Sequence, residues 1–229
     1  MKKQQIRNIL FLLLSVVFIN VTAQENNQSA FTFNYNYQIP TSNLANTFGD
    51  NSSIGASYFF ETANNLLYGI EGSFMFGNNI KDSTLFDNIA TSTGAIIGDD
   101  GYYTNVVLMH RGFDAHLFMG YACHFKETNL SGIYISQGFG YLQHQIYINT
   151  KNQNIPQLDE EMKKGYDRFS NGFSTKISTD YKYYSKKGKF QASAGINYTM
   201  AYTKINRSYD FANQQYYSCL LYTSPSPRD

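Results

Sequence analysis

Hydrophobic and polar residues alternate along most of this chain. In the segment FTFNYNYQI, residues 31–39, aromatic or aliphatic side chains occupy every second position, and Thr, Asn or Gln fills the positions between them. The same alternation recurs in FQASAGINYTMAYT, residues 190–203. Because successive side chains of a β-strand point to opposite faces, each segment predicts a strand with one apolar face and one polar face.

Five further segments predict strands, at 53–61, 66–77, 104–125, 132–149 and 172–184. Several are longer than the roughly 9–11 residues that a tilted strand needs to cross a membrane. A secreted β-sandwich also alternates, but its strands are normally shorter and its inner face is bulky and apolar. Here the polar face carries Asn, Ser, Gly, Thr and charge, and the apolar face is aromatic. The pattern therefore favours an antiparallel, up-and-down transmembrane β-barrel, an all-β fold.

The connections between these strands alternate in length. Long connections at 40–52, 78–103 and 150–171 are interleaved with short ones at 62–65, 126–131 and 185–189. Outer-membrane barrels have short periplasmic turns and long external loops. The alternation therefore predicts a periplasmic N-terminus and three long external loops.

The first residues have the three parts of a secretory signal peptide. In MKKQQIRNILFLLLSVVFINVTAQ, a positive head precedes an apolar run at 9–19, which is too short to span a bilayer. Small residues then precede a predicted cleavage site near Gln24. We therefore predict a signal peptide at 1–23, secretion to the periplasm and residence in the outer membrane of a Gram-negative bacterium.

Composition narrows the classes of function. Without the three basic residues of the leader and without Arg228 and Asp229, residues 24–218 carry 14 basic and 16 acidic side chains, a net charge of −2. No basic stripe remains for nucleic acid. Outside the last eleven residues Cys123 is the single cysteine, so neither an intrachain disulfide nor a cysteine zinc site is predicted. We predict one domain at 24–218 with no metal and no cofactor.

The alternation assigns side chains to the two faces of the predicted barrel. A lumen polar network is predicted from Glu71, Asp114, His116, His124, Lys176, Asp180 and Lys182, with Ser73 and Ser136 on the same face. The lipid-facing set contains Phe31, Phe33, Tyr35, Tyr37, Ala192, Ala194, Ile196 and Tyr198. Mixed charges can pair and fill a lumen too narrow for an open pore. An ion path, or a catalytic group of Asp114, His116 and Ser136, is an alternative interpretation, although no signature surrounds Ser136.

The long loops at 78–103 and 150–171 are the natural place for recognition, because function concentrates on loops carried by a rigid scaffold. IPQLDEEMKKG, residues 155–165, predicts a short helix with Gly165 as its C-cap. DSTLFDNI, residues 82–89, predicts a helical turn capped by Asp82 or Ser83. The alternative is that these loops only shield the barrel mouth.

The leader ending TAQ, the strand GYLQHQI and the stretch KKGYDRFSNGFS give the chain a family likeness. The chain resembles the small outer-membrane β-barrel proteins of the Bacteroidota over most of 24–218. The resemblance implies an eight-stranded meander whose last strand ends near an aromatic C-terminus. It carries over no functional residue.

The strand count reaches seven by residue 205, whereas bacterial barrels of this type have an even number. The closing segment CLLYTSPSPRD, residues 219–229, cannot form the eighth strand, because Pro225 and Pro227 would each remove a donor from a central ladder. This segment resembles the translation of the transposase-end adapter used in preparing sequencing libraries. We expect a non-native tail at 219–229 and a barrel at 24–218 that lacks its last strand.

These observations predict a non-enzymatic outer-membrane barrel with a structural or binding role. Its external loops would meet an envelope protein or a surface polymer, and its outer face would meet outer-membrane lipid. Two alternatives stay open: a lipid-modifying enzyme using Asp114 and His116, and a small-solute channel. The sequence leaves the oligomeric state open.

Overall fold

A computed structural model describes residues 28–82, 84–126, 129–151, 153–185 and 191–216. The predicted signal peptide at 1–23 and the predicted tail at 219–229 lie outside these ranges. The elements, in chain order, are β1 (Gln28–Gln38), α1 (Leu44–Thr47), β2 (Asn51–Glu61), β3 (Leu66–Gly77), β4 (Ile96–Ile97), β5 (Tyr103–Thr104), β6 (Val107–Lys126), β7 (Asn129–Asn149), a 3-10 turn (Pro156–Leu158), α2 (Met162–Tyr166), β8 (Ser170–Tyr184), β9 (Gln191–Ile205), β10 (Tyr209–Asp210) and β11 (Gln215–Tyr216).

The seven long strands form one antiparallel sheet in the order β1-β2-β3-β6-β7-β8-β9. This order is a meander, and it confirms the all-β fold predicted from the alternation. Within the described ranges, β1 and β9 each pair with one neighbour. The described helices include none that is long and apolar enough to cross a lipid bilayer.

The sheet is strongly curved, because side chains of distant strands meet on its inner face. Lys176 on β8 lies 2.9 Å from Glu71 on β3, although β6 and β7 separate their strands in the sheet. Lys182 on β8 reaches the ring of Phe59 on β2, across three intervening strands. The inner face is therefore the concave side, and the outer face is the convex side.

The strand predictions agree with the observed strands within a few residues at each end. At residue 104 the difference is three residues: Thr104 belongs to the small β4–β5 hairpin, and the long strand begins at Val107. The helix predicted at 155–165 is divided into the 3-10 turn and α2. Asp159 Oδ1 accepts hydrogen bonds from the backbone N–H groups of Glu161 and Met162, which starts the second part anew.

Gly165 is not the C-cap that the sequence suggested. It lies inside α2, which ends at Tyr166, and a Cβ at this position would overlap the ring of Phe211. Residues 84–89 form turns, and Asp82 Oδ1 accepts a hydrogen bond from Thr84 N at 3.3 Å, whereas Ser83 lies outside the described residues. Gly165 is therefore needed for packing between loops, because the Phe211 ring occupies the space of a Cβ.

Two hydrophobic cores lie at opposite ends of the sheet. The larger one, at the end with the long loops, contains Phe48, Leu85, Ile96, Ile146, Ile148, Ile155, Leu158 and Tyr166. The smaller one, near the short turns, contains Phe59, Leu67, Ala122 and Tyr134. Between them the concave face is mainly polar.

Candidate functional site: a polar interior beneath a loop cap

The convex face carries the eight residues predicted to face lipid, and all of them are exposed. Phe33 and Ile196 have 82% and 81% of their surface open. Large exposed apolar side chains continue on every neighbouring strand, including Phe60, Tyr68, Leu117, Phe139, Phe173 and Tyr181. A folded soluble protein rarely leaves so many adjacent apolar side chains uncovered.

This apolar belt has a polar boundary on the side of the long loops. Register places Arg111 beside Gln145, and places Gln143, Asn171 and Lys204 in one row across β7, β8 and β9. All five side chains point to the convex face. The ends of the strands on the side of the long loops therefore project past the apolar belt. His110 and His144 lie in these ends.

The seven residues predicted for the lumen network all lie on the concave face. The β3–β6 pairing sets Glu71 beside His116 and Ser73 beside Asp114. The β7–β8 pairing sets the remaining cations and Asp180 on the same side. Six of them form two clusters, one at mid-height and one near the short turns, and Asp180 stands apart.

The mid-height cluster joins four ionisable side chains. Lys176 Nζ lies 2.9 Å from Glu71 Oε1, and His116 Nδ1 lies 3.9 Å from the same oxygen. His116 Nδ1 also lies 3.3 Å from Asp114 Oδ1, within ion-pair range but without the direction of a good hydrogen bond. Ser73 donates a 2.5 Å hydrogen bond to Asp114 Oδ2. Lys176 therefore pairs with one of the two buried carboxylates, and Ser73 satisfies the other.

Ser174 completes this cluster. A hydrogen bond of 2.8 Å joins its Oγ to His116 Nε2, and both residues are buried. The two residues lie on β8 and β6, with Gly140 of β7 opposite both of them in the register. Because Gly140 has no side chain, nothing stands between the imidazole and the hydroxyl.

Ser174, His116 and Asp114 thus follow the order of a nucleophile, a base and an orienting acid. The sequence-based grouping named Ser136 instead, and this is wrong: Ser136 pairs with Gly120 and Ser178, four residues along β7 from Gly140. Only the β7–β8 register shows that Ser174 faces His116. Both members of the Ser174–His116 bond are closed to solvent.

The second cluster lies near the short turns. Glu61 is hydrogen-bonded to His124 through Nε2, and Tyr134 donates to the backbone oxygen of Leu130 at 2.8 Å. Lys182 Nζ lies 3.7 Å from the centroid of the Phe59 ring and 4.4 Å from that of Tyr134. Glu61 was missed from the sequence, although its position in phase with residues 53–59 could have placed it on this face.

Asp180 is the member of the predicted network that stands apart. Its carboxylate occupies the space that a Cβ at Gly195 of β9 would need. No ion pair within 4.0 Å involves Asp180 among the described residues. The concave face is therefore more loosely organised towards β9.

The described parts of loops 39–50, 78–106, 150–169 and 206–214 converge over one end of the sheet, and we call them the cap. Their apolar side chains form the larger core. Arg168 Nη2 lies 2.6 Å from Asp82 Oδ2, and Arg207 pairs with Asp167 through two hydrogen bonds. Tyr166 donates to Asn88 Oδ1, and burial raises the pKa of its phenol. The cap is thus a packed unit that covers one end of the sheet.

The neck, which we define as Phe48, His110 and His144, lies where the cap meets the polar interior. The Phe48 ring centroid is 4.1 Å from that of His110 and 5.4 Å from that of His144. The pKa of both imidazoles is lowered to about 4, by burial at His144 and by burial together with the neighbouring His144 and Arg111 at His110. Both histidines are therefore neutral near pH 7.

A cleft of about 430 Å³ opens on the cap between the turns at 84–95 and the β4–β5 hairpin. Its lining combines the rings of Phe86 and Tyr103 with the polar groups of Asp87, Thr104 and Asn105. Tyr102 and Tyr103 are largely exposed beside it. Within the described ranges, no three His, Cys, Asp or Glu side chains are arranged to hold a metal ion.

Comparison of this chain with protein-family models, with curated proteins and with solved structures returns no match. The function of this chain is therefore inferred below from its own residues and their geometry.

Proposed function

We propose that this protein is an outer-membrane β-barrel that carries a recognition surface on its loop cap. The single observation that supports this most strongly is the inverted distribution of side chains: exposed aromatic and aliphatic residues outside, paired charges and hydroxyls inside. Lipid satisfies the first group, and internal partners satisfy the second. One polar pair within the convex face is also satisfied, because Gln137 donates to Thr175 at 2.5 Å and Thr175 donates to Gly138 O.

The dimensions of the apolar belt fit this proposal. On β6 the convex face is free of charge from Phe113 to Phe125, twelve residue steps of about 3.4 Å each. At a tilt of about 45° this length spans roughly 29 Å, which matches a bilayer core. An eighth strand pairing with both β1 and β9 would close the sheet, and we include this closure in the proposal.

A dye placed on β9 tests membrane residence. With Cys123→Ser and Cys219→Ser as background, Tyr198→Cys places the dye on the convex face, and Asn197→Cys places it one residue away on the concave face. In vesicles containing brominated lipid, we expect several-fold stronger quenching at position 198 than at 197. Equal quenching at both positions would contradict the barrel.

The cap is where this barrel would meet a surface polymer or an envelope protein. The mixed aromatic and polar cleft with two exposed tyrosines suits a polymer that offers both hydroxyl groups and apolar ring faces, as a polysaccharide does. Deleting 153–168 is too coarse a test, because Ile155, Leu158 and Tyr166 support the cap core.

Tyr102→Ala with Tyr103→Ala removes exposed rings without entering that core. We expect this double variant to lose binding to purified outer-membrane polysaccharide in surface plasmon resonance, while the exposed-site control Glu160→Ala retains it. Undiminished binding by the tyrosine variant would remove the proposed recognition surface.

A second candidate function is hydrolysis, favoured by the order of Ser174, His116 and Asp114. A reactive Ser174 would form a covalent adduct with a fluorophosphonate probe, and Ser174→Ala would abolish it. We expect no adduct, because the serine is buried and hydrogen-bonded within a structural network. Labelling that disappears in Ser174→Ala would establish the hydrolase instead.

A third candidate, a small-solute channel, is opposed by the paired charges and by the cap. Silence in planar bilayers at neutral pH is the expected result. Steady conductance at neutral pH would favour the channel.

A further inference from the structure

The neck and the adjoining Asn51 contain buried polar atoms that nothing in the described structure satisfies. His110 Nδ1 and Nε2, His144 Nδ1 and Asn51 Oδ1 have no hydrogen-bond partner within the described ranges. The two imidazole centroids lie 6.1 Å apart. All three residues are more than nine-tenths buried. Buried groups of this kind normally find partners, so an unmatched pair of histidines requires an explanation.

Glycines create the space in which these side chains converge. Gly77 separates Asn51 from His110 along one register row, and a Cβ at Gly77 would lie 2.8 Å from Asn51 Cβ. Gly112 lies opposite His144 on the neighbouring strand. Phe48, which is only 2% exposed, covers the histidines from the cap side.

The charged groups around the neck offer little compensation for an imidazolium. Arg111 on β6 is a cation that adds to the repulsion at His110. Asp114, four residues along β6, is engaged by Ser73 and His116. Asp167, whose backbone oxygen accepts from Ile146 N beside His110, is paired with Arg207. If both histidines were protonated, each imidazolium would instead be repelled by the other, whose ring centroid lies 6.1 Å away.

We propose that the neck is an acid-sensitive latch: protonation of His110 and His144 separates them from Phe48 and opens the cap above the polar interior. In the closed form both histidines are neutral. In the open form each protonated imidazole is hydrated. Opening would connect the concave face to the outside. The latch depends on the cap itself and requires neither a bound ligand nor a reactive Ser174.

The direction of the effect follows from the two states. Each histidine has its pKa near 4 in the closed form and near its ordinary value of 6.5 in the open form. The closed form is therefore fully favoured above pH 6.5 and loses its advantage as the pH falls towards 4. Each group shifts the equilibrium by up to about 300-fold over this interval, and the two together by up to about 10⁵-fold.

A single tryptophan can report the opening, because the chain contains none. Phe86 is partly buried against the cap core, so Phe86→Trp places an indole there without removing a fully buried side chain. The full-length protein in detergent micelles would be titrated from pH 7.5 to 3.5 while emission is recorded. We expect a reversible shift to longer wavelength as the pH falls through 6 to 4, with retained β-sheet circular dichroism.

Comparison of histidine variants assigns the transition. His110→Gln with His144→Gln, in the Phe86→Trp background, should lower the midpoint by at least one pH unit. The control His124→Gln alters a histidine at the opposite end and should leave the midpoint unchanged. If the double variant fails to fold, His144→Gln alone should still lower the midpoint by about half a unit.

Three results would overturn the latch. One is an unchanged midpoint in both neck variants. Another is an equal shift in His124→Gln, which would assign the transition to global acid unfolding. The third is loss of the sheet signal at the same pH as the tryptophan shift.

Discussion

His116 and Ser174 are hydrogen-bonded to each other across an intervening strand, with Nε2 and Oγ 2.8 Å apart. The strand between them is β7, and the residue opposite both is Gly140. A missing side chain on one strand therefore allows contact between the two strands that flank it. Gly77 likewise lies between Asn51 and His110, although these two side chains make no hydrogen bond to each other. In a strongly curved sheet, such glycines decide which polar side chains can meet.

Gly140→Ala should destabilise the protein. A Cβ at this position would overlap Ala115 O and lie 2.7 Å from His116 Cα, so β6 and β7 would have to move apart. We expect a loss of about 1–3 kcal/mol in the free energy of unfolding, measured by urea titration of the vesicle-inserted protein. Gly72→Ala is the matched control, because its Cβ would meet only Asp114 O at 3.5 Å and should change stability by less than about 0.5 kcal/mol. Equal losses of unfolding free energy in Gly140→Ala and Gly72→Ala would show that the close packing around Gly140 does not set its cost.

The fold was accessible from the sequence because alternation is a local signal. Phe31, Phe33, Tyr35 and Tyr37 alternate with polar residues, and this alone fixes both a strand and its faces. The inward residues could be assigned from the same phase. Their partners could not, because pairing depends on the register of β6, β7 and β8, which is set by contacts between distant segments. This is why the alternative catalytic grouping contained Ser136, and why Ser174 was missed.

The cap could not be predicted for a related reason. Phe48, Leu85 and Leu158 come from three separate loop segments, and none of these segments shows a period that would signal a core. Gly165 illustrates the difficulty: by local rules it ends a helix, whereas in the structure it makes room for Phe211. Long loops that pack on one another have no periodic signature.

The Glu71–Lys176 ion pair gives the second prediction. Both side chains are mostly buried, so removing one charge leaves the other without its partner. Lys176→Met alone should cost about 3–5 kcal/mol of unfolding free energy, and Glu71→Gln should cost a similar amount. The double variant should recover much of that loss, because neither charge is then stranded. Additive losses in a double-mutant cycle would contradict a direct pair.

The convex face gives the third prediction, which depends on residence in lipid. Ile196→Lys should reduce the free energy of unfolding in vesicles by about 2–4 kcal/mol if the site lies near the bilayer midplane, and Tyr35→Lys should act in the same direction. Asn34→Ser, on the concave face of β1, serves as the control and should change it much less. Similar losses at the convex and concave positions would argue for a soluble fold.

Lys182 and the two rings around it give the last prediction. Its ammonium lies over Phe59 and Tyr134, 3.7 Å and 4.4 Å from their centroids, and it makes no ion pair within 4.0 Å among the described residues. An ammonium in this position is stabilised by the negative faces of the rings. Phe59→Leu should therefore cost more with Lys182 present than with Lys182→Met, which keeps the length of the side chain but removes the charge. We expect a coupling energy of about 1–2 kcal/mol in the double-mutant cycle. A coupling near zero would mean that Lys182 only fills space between the rings, and that its charge is balanced by Glu61 and Asp180 at longer range.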